Sequence, residues 1–239
     1  MPNLFLASVD LSEFVAFENV NWPNVQQATV ETIYMTLLSM IAVFVFGLLL
    51  GLLLFETQNK EGKFFQVFYY IVAVIVNIFR AIPFIILIVL LIPFTRSLLG
   101  TMTGPNAALP ALILSSAPFY ARLVETSFRD VDKGVLEAAN AIGANEFQII
   151  YKVLIPESSP ALIAGLTTTS IAVLGFTAMA GVIGAGGLGN LAYLQGFQRS
   201  NPAVTLVATL VILVLVFIIQ GLGAVSYTHL RAHETGRNL

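Results

Sequence analysis

"IYMTLLSMIAVFVFGLLLGLLLF", residues 33–55, runs for 23 residues without a charge. A helix needs about 20 mostly apolar residues to cross the hydrocarbon core of a bilayer, so this stretch places the chain in lipid. The whole sequence agrees: 57% of its 239 residues are hydrophobic and 10% charged, against about 25% charged in an average soluble domain. A net charge of -2 offers no footprint for nucleic acid. Without cysteine there are no disulfides and no thiolate metal sites. His229 and His233 lie in the last eleven residues, which excludes a histidine-built metal or acid–base site from the body. No catalytic, cofactor or metal site is expected in this chain.

Four further spans follow: residues 64–94, interrupted by Asn77, Arg80 and Pro83; 107–128, carrying Pro110 and Pro118; 161–183, rich in Thr, Ala and Gly; and 203–223. Of the five spans, the third (107–128) and fourth (161–183) are less oily, which suits packing against protein rather than lipid. Orientation follows from Lys and Arg in short loops. An outside N-terminus puts Lys60, Lys63, Arg129, Lys133 and Lys152 in the cytoplasm and leaves only Arg96 and Arg199 outside. The expected fold class is an all-α membrane protein with about five transmembrane helices, N-terminus out and C-terminus in. Residues 1–30 lack the positive start of a signal peptide and read as an external or interfacial segment, with Trp22 as a headgroup-level anchor, or as a disordered tail. Residues 31–223 form the membrane domain.

Between spans three and four lies "RDVDKGVLEAANAIGANEFQIIYKVLIPESSP", with eight acidic and basic residues in 32 positions. This water-facing loop, about 129–157, reads as two short helices. Val135, Leu136, Ala139 and Ile142 share one helical face, and Gly143 is the stop. Asn145 starts the second helix, with Gln148 three residues on as in a capping box. Phe147, Ile150 and Leu154 form its apolar stripe, and Pro156 is expected to end the unit. The two apolar faces need cover, either the chain's own membrane base or a groove on a partner.

The spacing in this loop is specific. Glu137-Ala138-Ala139, three residues, Gly143, nine residues, then Val153-Leu154-Ile155-Pro156 resembles the loop of ABC-importer permeases. "VNIFRAIPFIILIVLLIPFTR" (76–96) and "GAGGLGNLAYLQG" (184–196) resemble the methionine-type permeases within that family. The similarity covers roughly residues 25–223. It implies that Glu137, Ala138, Ala139, Gly143, Phe147, Leu154 and Pro156 belong to a coupling helix that seats in a separate ATPase subunit.

The resemblance further implies a multi-pass protein of the prokaryotic inner (cytoplasmic) membrane. Its partners would be a second copy of itself, two cytoplasmic ABC ATPase subunits that bind ATP and Mg, and an extracytoplasmic substrate-binding lipoprotein. The function implied is ATP-driven import of an amino acid, methionine, by alternating access. The alternatives are a permease for another small polar solute, or a secondary transporter or channel. The chain lacks G-x-x-x-x-G-K-[ST] and so has no phosphate loop of its own. Spans four and five hold no acidic residue, which counts against ion coupling.

Gly184, Gly186, Gly187 and Gly189 spell a dinucleotide-binding G-x-G-x-x-G, but the next acid is Glu234, far beyond the ~20 residues that motif requires. These glycines are expected to make the external turn between spans four and five. Arg80 sits mid-span with Asn77 on the same helical face; it lines the pathway or pairs with backbone carbonyls near a Pro83 kink. Met179, among small residues near the outer end, is a candidate gate. After Gly223, "AVSYTHLRAHETGRNL" (224–239) departs from the family pattern and reads as a cloning remnant or sequence artefact, or as native sequence.

Overall fold

The computed structural model describes the backbone of residues 11–237 and the side chains of residues 13–228. The first ten residues, and the side chains of His229 and His233, lie outside the described residues. Two short 3-10 turns, Leu11–Val15 and Phe17–Asn19, lead into ten α-helices. These are α1 (Trp22–Asn59), α2 (Lys63–Ala81), α3 (Phe84–Leu90), α4 (Ile92–Leu99), α5 (Pro105–Arg129), α6 (Lys133–Ala141), α7 (Glu146–Ile149), α8 (Ile155–Ala180), α9 (Gly187–Leu191) and α10 (Pro202–Arg237). Among the described residues, five helical stretches are long and apolar enough to cross a membrane, namely α1, α2, α5, residues Glu146–Ala185 containing α8, and Pro202–Thr228 of α10.

Helix α1 begins eleven residues before the charge-free run. The Asn21 side chain accepts from the Asn24 amide at 3.2 Å, and Pro23 occupies the first turn, where its missing N–H costs nothing. At about 1.5 Å per residue its 38 residues reach about 57 Å, well beyond the ~30 Å apolar slab. The surplus at the start packs on protein: Val25 and Ala28 join Leu188, Leu191, Ala203, Val204 and Val207 in one core cluster. The middle of α1 lies along α5, its most extensive neighbour. A Cβ on Gly47 would stand 2.6 Å from Tyr120 Cδ1, and one on Gly51 2.6 Å from Val124 Cβ. The two backbones meet closely because these positions have no side chain, the usual device of helix pairs in lipid.

The second expected span is three helices. Helix α2 ends at Ala81, Ile82 is extended, and Pro83 opens α3. Proline disfavours helical backbone at the residue before it and cannot donate to the preceding turn. A second bend at Leu91 separates α4. Helix α5 is the central element and the most deeply buried of the five within the chain. The span containing α8 is less covered by its own chain than α5 is, about as little as α1. Its uncovered side carries Ala161, Ala164, Thr168, Gly175 and Met179, a face of mostly small residues. Helix α10 runs without a break through Gly223 to Arg237, so residue 223 is no structural boundary.

Candidate functional site

The loop after α5 folds into a rigid elbow. Asp132 caps α6, accepting from the Gly134 amide at 2.6 Å. Gly143 stops it with φ +83°, a left-handed conformation that glycine adopts without a Cβ penalty. The reciprocal capping box expected at Asn145 is present: its side chain accepts from the Gln148 amide at 2.9 Å, and its own amide donates to Gln148 Oε1 at 3.0 Å. Lys60, at the end of α1, pairs with Glu146 at 3.1 Å.

Pro156 does not end the unit. Helix α7 runs through a wide π turn, Ile150–Leu154, straight into α8, and Pro156 sits in the first turn of α8. The π turn explains the tolerance. Here the Ile155 amide bonds to the Ile150 carbonyl, five residues back, so the ladder is already offset where proline lacks its N–H. The second loop helix and span four are therefore one continuous helix from Glu146 to Ala180, ahead of the non-helical backbone at Ile183 and Gly184.

The apolar faces of the elbow divide between two destinations. Ala139 and Leu154 are buried in the chain, Leu154 in a cluster with Phe55, Tyr120, Val124 and Phe128, with Leu136 and Ile150 packed against it. Ile142, Phe147 and Tyr151 point away, 86%, 75% and 66% exposed. The Phe147 and Tyr151 rings stack with centroids 6.4 Å apart. Leu154 and Phe147, on one stripe by spacing, thus differ in cover; the stripe is shared between the chain's own base and the outside. Glu137 and Ala138 are exposed, and Glu137 lines an open cleft of about 770 Å³ with Gln58, Arg129, Lys133 and Asn140.

Beneath the elbow lies a cluster that the sequence reading missed. Glu125 is 2% exposed and bridges Arg122 and Arg129 on its own helix. Tyr69 of α2 donates to Glu125 at 3.3 Å, and Arg129 also reaches Gln58 of α1. One buried carboxylate therefore ties α1, α2 and α5 together. The signal was the i, i+3 and i, i+4 spacing of Arg122, Glu125 and Arg129.

At the far end the four glycines turn the chain, with φ of +95°, +82° and +77° at Gly184, Gly186 and Gly187. They do not lead directly to span five. They send the chain into α9, whose first amides are capped from α1: Gly187 N–H donates to Glu31 at 2.7 Å and Leu188 N–H to Thr32 at 2.9 Å. A Cβ on Gly187 would lie 2.7 Å from Thr32 Oγ1, so the close approach itself requires glycine. Gly189 packs its backbone directly on Ala178. The chain reaches α10 only after another wide turn, Ala192–Gln198, and a bend at Arg199–Asn201. The extra helix exists because Leu188 and Leu191 bury against α1 and α10.

Arg80 and Asn77 are exposed on α2, and Pro83 is exposed at the break. Arg80 bonds none of the carbonyls freed there; its guanidinium stands 5.9 Å from the Phe119 ring centroid. Met179 is 48% exposed near the end of α8, on the uncovered face. Thr167, Thr168, Thr169 and Ser170 all bond their own helix carbonyls, the ordinary role of such residues within a helix.

Three comparisons bear on this arrangement. Residues 47–231 match the family model described as binding-protein-dependent transport system inner membrane component. The chain is 58% identical over 207 residues to the methionine import system permease protein MetP of Bacillus subtilis, covering 87% of this chain and 93% of that one. It is 42% identical over 202 residues to a probable D-methionine transport system permease protein of Pasteurella multocida, covering 84% and 93%. Among solved structures, a chain of the MetNI methionine ABC transporter in inward-facing conformations superposes with a TM-score of 0.84 at 40% identity, covering 87% of this chain and 97% of that one. With the matched model spanning most of its length, this chain belongs to the family of binding-protein-dependent transport system inner membrane components.

Proposed function

We propose that this chain is the membrane-spanning subunit of an ATP-driven importer of methionine in a bacterial cytoplasmic membrane, working as a two-fold homodimer. Two cytoplasmic ABC ATPase subunits bind the ATP and Mg, and an extracytoplasmic binding protein delivers the solute. The observation that carries the mechanism is the elbow. Exposed Phe147 and Tyr151 sit on a helix continuous with span four. A partner that holds these rings and moves therefore moves α8 as one lever, without a flexible joint to absorb the stroke. Lys60, Arg129 and Lys133 lie at this end, and Lys152 lies in the π turn that joins it to α8, as the cytoplasmic side requires. The identity of the solute rests on the 58% identity to the methionine permease.

The pathway runs along the uncovered face of α8, where Ala164, Thr168 and Gly175 leave room beside the dimer axis. Met179 closes its outer end, one flexible apolar side chain from each copy meeting at the axis. In reconstituted complex, Met179→Ala raises basal ATP hydrolysis or solute leak several-fold; if both stay at the wild-type level, Met179 is not the gate. The decisive experiment on the whole reading is uptake of labelled methionine by cells lacking this gene and its relatives, complemented with it, in competition with unlabelled amino acids. Uptake that proceeds with no ATPase subunit present rules the importer out.

A further inference from the structure

Where α2 breaks at Pro83, the chain encloses an open cavity of about 380 Å³, within the roughly 300–1,000 Å³ of small-ligand sites. Arg80, Ser115, Ser116, Phe119, Ala172 and Phe176 line it. No acidic side chain does. Arg80 makes no ion pair or hydrogen bond with any described residue, and its one close partner is the face of Phe119 at 5.9 Å. A ring face steadies a guanidinium but leaves its N–H donors unused. Ser116 is 1% exposed, and its Oγ has no hydrogen-bond partner among the described residues. Ser127, Ser158 and Ser170, by contrast, each bond a carbonyl of the preceding turn. The cavity thus gathers a free cation, in the last turn of α2 beside the Pro83 break, and an unspent hydroxyl midway along α5.

A guanidinium at this depth does not face lipid; it faces water or protein. Ala172 and Phe176 of the cavity wall lie on α8 two turns and one turn before Met179, on the side leading to it. The geometry points to a carboxylate-binding subsite on the translocation path: Arg80 takes the α-carboxylate of the transported amino acid, with the Ser115 and Ser116 hydroxyls beside it. Paired N–H donors of one guanidinium match the two oxygens of a carboxylate. Phe84 and Phe176, stacked at 4.7 Å, form an apolar wall suited to an unbranched side chain such as a thioether. This subsite rests on the importer reading above, and it gives the chain a preference for free amino acids that is independent of the binding protein.

The absence of cysteine supplies a clean reporter. Ser115→Cys or Ala172→Cys is introduced into the full complex with its ATPase in lipid nanodiscs, the cysteine-free chain setting the background. Each variant is labelled with an anionic (sulfonatoethyl) or a cationic (trimethylammonioethyl) methanethiosulfonate, and rates are normalised to a free small thiol. The anionic reagent is expected to react at least about tenfold faster, as a fixed positive charge a few ångströms away requires. Arg80→Gln is expected to abolish that ratio. Methionine should protect the cysteine, and methioninamide, which has no carboxylate, should not. Equal rates for the two reagents, an anionic preference that survives Arg80→Gln, or no reaction at either position overturns the subsite. Protection by another amino acid but not by methionine upholds the subsite and overturns methionine as the solute.

Discussion

Phe147→Ala is expected to release the ATPase subunit from this chain, weakening their association by about 30-fold or more and lowering uptake in proportion. Alanine substitution of a central aromatic anchor costs about 2 kcal/mol or more, and each 1.4 kcal/mol is about tenfold. Phe147 meets the requirements of an anchor. It is 75% exposed in the free chain, stacked on Tyr151 and held by the capping box two residues before it. Little ordering cost then remains for binding to meet. Because the ring stacks only on another exposed ring, Tyr151, and joins no core cluster, the variant should insert, purify and melt as wild type does. Leu154→Ala, on the same sequence stripe but 1% exposed, should behave in the opposite way, lowering the melting temperature before it touches association. Titration of purified ATPase subunit against each solubilised variant separates the two. Wild-type affinity for Phe147→Ala would remove the exposed rings from the coupling surface.

That contrast shows what a periodicity argument supplies. The 3.6-residue pattern found an apolar stripe at Phe147, Ile150 and Leu154, and the capping signature at Asn145 and Gln148 found where its helix starts, because both depend on neighbours in sequence. Which end of the stripe is covered by Phe55 and Phe128 depends on residues 20 to 100 positions away and leaves no local trace. Pro156 misled for a related reason. Proline ends a regular helix, but a π turn five residues long moves the missing donor out of register, and nothing in the residue types announces that turn. The number of spans was legible because lipid leaves long apolar helices as the solution for this composition. The early start of α1 was not, since Trp22 to Glu31 is polar enough to resemble a loop and is helical only because α9 and α10 lie against it.

The glycines near residue 186 teach the same lesson from the other side. A nucleotide turn and a membrane turn both need positive φ and close backbone approach, so the spacing alone serves either. What separates them is the partner: here Glu31 and Thr32 of α1 occupy the amides that a phosphate would take. An acidic side chain filling the start of α9 is an internal cap, and it pins the outer end of α1 to the segment that joins spans four and five. The first span is thereby fastened at both ends, through Glu31 outside and through Lys60 and Gln58 beneath. In the proposed mechanism, α8 would move against α1 and α5, which approach closely at Gly47 and Gly51.

Glu125→Ala is expected to be the most damaging single change to that pair of helices. The carboxylate is 2% exposed and is the shared acceptor for Arg122, Arg129 and the Tyr69 hydroxyl. Removing one partner of a buried ion pair costs about 3–5 kcal/mol, because the charge left behind is uncompensated. Arg129 is half-exposed and can turn to water, which places the loss near the lower figure, about 3 kcal/mol. For a chain of this size that corresponds to a melting temperature lower by about 6–12 °C. Arg122 and Glu125 replaced together by leucine should recover part of that loss, since Arg122 is no longer left unpaired, while Arg129 loses its carboxylate but is half-exposed and keeps Gln58. Transport should not recover with it. The network joins Gln58, Tyr69 and Arg129 on three helices directly under the elbow, and an oily patch there restores packing without restoring the polar ties that keep α1, α2 and α5 in register during the stroke. ATP hydrolysis that persists while uptake falls is the signature to measure in the leucine pair. A Glu125→Ala chain that melts with the wild type would mean that water reaches the carboxylate and the three helices are held by packing alone.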